Sequence, residues 1–216
     1  MIEDAAGLKL MHLTKSRLES LSDGIFAFTM TLLVIGLNLP DKASVIQTPE
    51  YAAHVLLSLH SDFFHYVLAF LILGAFWLSH HIGVHPLCAL NRGYVWFNLG
   101  TLLFVALLPF TTSFSGDFSD VPFGAIVFEL NLLAIGMGMY FQWIYATGNY
   151  RLVEPGLDRN FIRHGGLRTL VVLAVSLIAI LVALTGNLYS TVLYMFIPFV
   201  HYGIPRWEKK RGEVIS

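Results

Sequence analysis

Six stretches of this chain are each long and apolar enough to approach a bilayer crossing, and that recurrence constrains the fold more than any single motif. A bilayer core about 30 Å thick asks for roughly 20 apolar residues per helix. Windows at about 19–40, 62–83, 94–113, 123–146, 168–186 and 188–205 meet or approach that length. Composition agrees: hydrophobic residues make up 56%, charged residues 12%, and mean hydropathy is +0.68, whereas soluble domains carry roughly 25% charge. The chain reads as an all-α integral membrane protein, multi-pass in the cell membrane, with one six-helix domain over residues 1–216. Residues 1–15 hold no apolar run, so no cleavable signal peptide is expected. The single Cys88 excludes an intramolecular disulfide.

Two boundaries are special. Only Thr185-Gly186-Asn187 separates the last two windows, which are expected to form a tight hairpin. Tyr51–Ser61 is moderately apolar, but joined to the second window it would make about 32 residues, or roughly 48 Å of helix, too long for the core. It is read as an interfacial extension.

Orientation follows from the basic residues. With both termini cytoplasmic, twelve of the thirteen Lys and Arg residues lie inside: Lys9, Lys15, Arg17, Arg92, Arg151, Arg159, Arg163, Arg168, Arg206, Lys209, Lys210 and Arg211. Only Lys42 falls outside, which obeys the positive-inside rule and favours an even number of spans.

A charge at membrane depth costs about 2.5–3.5 kcal/mol on insertion scales, so ionisable groups within spans usually face protein or water. Asp23, beside Ser22 and Gly24, lies near the inner end of the first helix. The plain alternative is an N-cap, although Ser16-Arg17-Leu18-Glu19 offers a start one turn earlier. His80 and His81 end the second helix, three and four residues after Trp77 and on its face. His81 and His85 have i, i+4 metal spacing, but no Cys or carboxylate lies close in sequence and Pro86 ends the helix, so hydrogen bonding is the preferred reading. Asn98 in the third span supplies a buried amide at similar depth. Ser22, Asp23, Trp77, one of the two histidines and Asn98 are therefore expected to form an inner-leaflet polar network joining helices one, two and three, with Arg17 grouped beside them. Glu129, with Asn131 and Gln142, lies in the fourth span; it is expected near the outer interface, either reaching water or serving a function.

Several function classes find no support. Arg159, Arg163 and Arg168 precede an apolar run instead of recurring through it, so they form an inside flank and not a voltage sensor. No Thr-Val-Gly-Tyr-Gly filter occurs, nor do hydrolase-elbow, P-loop, dinucleotide or zinc-protease patterns.

The segment Arg17-Leu-Glu-Ser-Leu-Ser-Asp-Gly-Ile-Phe-Ala, continuing to Thr31-Leu-Leu-Val, resembles the opening helix of the prokaryotic transmembrane protein 175 family. Phe70 to His81 (FLILGAFWLSHH) and Asn98 to Phe110 look like that family's pattern too, so the resemblance covers about residues 17–112. It implies six transmembrane helices, a homotetramer built around the first helix of each subunit, and potassium conduction without a carbonyl filter. Leu21 departs from the family's Phe before Ser-Asp. A literal Phe118-Ser119-Asp120 lies in an outer loop without a following Gly and is read as coincidence, not as an internal repeat.

On the first helix, Gly24, Phe28, Thr31 and Ile35 share one face by i, i+4, i+7 spacing. By spacing alone this is an ordinary packing stripe. By the resemblance it lines the pore, with Phe28 standing where the family has a bulky aliphatic residue. A ring of large apolar side chains closes a pore by dewetting, and Thr hydroxyls replace part of an ion's hydration shell. The expected function is a potassium-selective, homotetrameric channel with a hydrophobic constriction, needing the bilayer and permeant K+ but no cofactor, metal or nucleic acid, and with no enzymatic activity. The competing reading is a secondary transporter or proton-coupled carrier using Asp23 and His80 or His81, whose mark would be broken helices or repeats, neither of which is visible.

Overall fold

The computed structural model describes residues 14–37, 39, 48–187 and 190–197. Helix α1 spans Lys15–Leu32 and tightens into a 3-10 turn over Leu33–Gly36. It is followed by α2 (Pro49–Ser58), α3 (His60–Val84), α4 (Arg92–Asp117), α5 (Pro122–Thr147) and α6 (Arg159–Leu184), then by a 3-10 segment over Ser190–Met195. Among the described residues, five segments are long and apolar enough to cross a membrane: α1 with its 3-10 turn, α3, α4, α5 and α6. Of the sixth expected span, residues 188, 189 and 198–205 lie outside the described residues, and the described part contains the 3-10 segment. Both termini also lie outside them.

Local chemistry sets the helix starts. Asn91 accepts from the Tyr94 backbone N–H at 2.9 Å and opens α4, while Thr48 accepts from the Tyr51 N–H at 3.2 Å ahead of Pro49 and opens α2. Asp158 accepts from the Asn160 N–H at 2.9 Å and opens α6, which therefore starts at Arg159 instead of the expected 168. The basic flank is thus the first part of the helix itself. Residues 51–61 do not extend α3 as one continuous rod: Leu59, at φ −79° and ψ 7°, separates α3 from α2, which buries no residue. The N-cap reading of Ser22 and Asp23 also fails, because α1 begins at Lys15 and both residues sit in its interior.

The core runs through Phe26, Ile72, Phe76, Leu102, Val105, Leu132 and Ile135. α1 packs on α3 and α4, α4 on α5, and α5 on α6. Small residues allow the close approaches that membrane helices depend on. A Cβ added at Gly165 of α6 would overlap the Trp143 ring of α5, and one at Gly138 of α5 would overlap Thr101 of α4. Trp143 Nε1 also donates to the Ile162 carbonyl at 2.9 Å, pinning the start of α6. At the same end, the Cys88 N–H donates to the Leu152 carbonyl at 2.9 Å, and Lys15 Nζ donates to the His85 carbonyl at 2.6 Å.

Candidate functional site

Helix α1 has two faces with different fates. Leu18, Ser22, Phe26 and Thr29, followed by Leu33 in the 3-10 turn, are buried against the bundle. Gly24, Phe28, Thr31 and Ile35 are exposed, Phe28 at 64% and Ile35 at 68%. A Cβ built on Gly24 meets nothing within 4 Å. The stripe that spacing alone assigns to internal packing is thus left open by this chain's own fold. Thr31 Oγ1 donates to the Phe28 carbonyl at 2.7 Å. A hydroxyl has one donor and two acceptor positions, so this bond uses the proton and leaves the oxygen's lone pairs for a cation or water.

The polar set lies off that stripe, and the structure divides it in two. In the interior, Asn98 Nδ2 of α4 donates to Ser22 Oγ of α1 at 3.1 Å, and Asn98 Oδ1 accepts from His80 Nε2 of α3 at 2.8 Å. With the amide nitrogen committed to Ser22, its oxygen is the acceptor, so Nε2 of His80 carries the hydrogen. All three residues are buried, and Phe26 lies against the His80 ring at 5.7 Å between centroids. At the surface, Trp77 Nε1 donates to Asp23 Oδ1 at 2.8 Å, and His81 stacks on Trp77 at 5.9 Å between centroids. Each half ties α1 to α3, and the inner half reaches α4 as well. His80 and His81 thus take separate tasks, and one turn of helix carries both. Arg17 is exposed, and among the described residues its side chain joins neither half.

Other groups in the spans find partners that the sequence did not identify. Gln142 Nε2 donates to Thr101 Oγ1 at 2.6 Å and Asn131 Nδ2 donates to Thr111 Oγ1 at 3.2 Å, both joining α5 to α4. The paired polar positions on consecutive spans were the available signal. Glu129 is 0% exposed, so the water-reaching expectation fails, and its polar neighbour is the Ser190 hydroxyl of the 3-10 segment. His85 gives its carbonyl to Lys15, and His81 is engaged with Trp77.

Residues 17–109 match the family model described as endosomal/lysosomal potassium channel TMEM175. A potassium channel of Streptomyces collinus is 28% identical over 166 residues, covering 70% of this chain and 74% of its own length. A potassium channel of a Chryseobacterium species is 31% identical over 104 residues, covering 48% and 50% respectively. The crystal structure of a lysosomal potassium-selective channel TMEM175 homolog from Chamaesiphon minutus superposes with a TM-score of 0.76 at 20% identity, over 87% of this chain and 96% of that one. At that identity, the superposition establishes a common fold.

Proposed function

Because residues 17–109 match the TMEM175 family model and the relatives named above are potassium channels, we propose that this chain is a potassium-selective channel of that family and not an enzyme. Four copies stand around an axis lined by Gly24, Phe28, Thr31 and Ile35. One observation carries this reading: the fold buries one side of α1 and leaves that stripe open, with Phe28 64% and Ile35 68% exposed. In a tetramer, the Phe28 rings form the hydrophobic constriction that gates by dewetting, and the Thr31 oxygens form a ring that replaces part of the hydration shell of K+. The Ser22–Asn98–His80 and Asp23–Trp77–His81 groups hold α1 at a fixed angle to the bundle, and so fix the width of the pore. Both termini face the cytoplasm in this arrangement, and no cofactor takes part.

The carrier alternative is not favoured. Asp23 is bonded to Trp77 and His80 to Asn98, so among the described residues each has its own partner and no hydrogen bond joins the two. The relatives named above are potassium channels. Reversal potentials of proteoliposomes between K+ and Na+ test the proposal. The wild type selects K+, Phe28→Ala raises conductance, and Thr31→Val narrows the K+ preference. Flux that saturates and is tied stoichiometrically to a pH gradient would replace the channel with the carrier.

A further inference from the structure

Away from the α1 stripe, a cavity of about 50 Å³ opens among α3, α4, α5 and α6, with Ser79, His80, Gln142, His164, Arg168 and Thr169 in its wall. One water needs roughly 10–15 Å³ on the same kind of measure, so the space exceeds a single solvent site. Its wall contains one arginine and two histidines and no Asp or Glu. The Nε of Arg168 is buried, and among the described residues it has no hydrogen-bond acceptor. Arg168 is half-buried, and a buried N–H without an acceptor is costly, while a guanidinium fork matches an oxyanion in shape as well as charge. Arg168 also stands where α6 passes from its charged first turns, with Arg159 and Arg163, into the apolar run 170–183. Basic pockets between membrane helices at that depth suit the head groups of anionic lipids.

We propose that this cavity binds a phosphate oxyanion, held by Arg168, at a site separate from the ion path. A lipid head group and free inorganic phosphate share that chemistry. The test uses full-length protein in detergent, with native mass spectrometry of a short-chain phosphatidylglycerol, the matching diacylglycerol and inorganic phosphate. Wild type retains phosphatidylglycerol, whereas Arg168→Gln binds it on the order of 10- to 100-fold more weakly. Arg163→Gln, at an exposed position, binds it as wild type does. Arg168→Lys, which keeps the charge and loses the fork, falls between, and it carries the comparison if Arg168→Gln does not assemble. Displacement of the lipid by inorganic phosphate identifies free anion as a sufficient ligand, and resistance to displacement identifies the head group. Equal retention of diacylglycerol, equal loss in Arg163→Gln, or unchanged binding in both Arg168 variants would overturn the proposal.

Discussion

Asn98→Leu is the most informative perturbation of the polar set. Leucine has nearly the shape of asparagine, so the main loss is the pair of bonds to Ser22 Oγ and His80 Nε2, at 3.1 and 2.8 Å. Ser22, His80 and Asn98 are all buried, which leaves two groups without partners. Orphaned groups in soluble proteins cost about 1–3 kcal/mol each. Side-chain bonds between membrane helices measure less, about 0.6 on average and at most roughly 1.7 kcal/mol, because the unfolded chain in the membrane also finds partners. The second scale applies here and gives about 1–3 kcal/mol for the pair, or roughly a 5- to 150-fold shift in the folding equilibrium. Trp77→Phe removes one bond at a side chain that is 38% exposed, and costs about 0.6 kcal/mol or less. Steric-trapping or reversible denaturation in micelles reads both values. An Asn98→Leu loss below about 0.3 kcal/mol, or a Trp77→Phe loss larger than that of Asn98→Leu, would refute the two-part description of the set.

Glu129→Gln replaces an ionisable group at a fully buried position, beside the Ser190 hydroxyl, by an amide of the same shape, and it leaves thermal stability equal or raised; a marked fall would show that the carboxyl is held in a way an amide cannot reproduce. Gly165→Leu forces a side chain into Trp143 and destabilises by about 1–3 kcal/mol, measurable as a lowered unfolding midpoint. Thr31→Val keeps the volume and removes the oxygen, so K+ over Na+ preference falls while assembly on size exclusion stays unchanged. Phe28→Ala widens the constriction and increases single-channel conductance; an unchanged conductance would mean that the ring turns aside from the axis.

The sequence made the spans legible because about 20 apolar residues in a row have few other destinations. It also pointed to Ser22, Asp23, Trp77, His80, His81 and Asn98, since such groups at membrane depth need partners, but it grouped Arg17 with them, and that exposed side chain joins neither half. It did not reveal their division. Trp77, His80 and His81 lie at i, i+3 and i+4, where spacing treats both histidines alike, and only the position of Asn98 on α4 selects His80. The start of α6 was hidden by Gly165-Gly166 and three arginines, which look like a loop until Trp143 is seen occupying the space that a side chain at Gly165 would fill. Asp158 was the cap signal that marks the true start. Glu129 was left open between water and a function because hydropathy gives depth along a helix but not the face turned to the core.

The central claim is that the open stripe of α1 faces the ions, and cysteine accessibility tests it most directly. In a Cys88→Ser background, Thr31→Cys and Ile35→Cys are each reconstituted and treated with a charged, water-soluble thiol reagent while K+ current is recorded. Modification is expected to reduce or abolish the current at both positions, and Phe26→Cys on the buried side is expected not to react. Current unaffected by complete modification at 31 and 35, or block only from the Phe26 side, would contradict it.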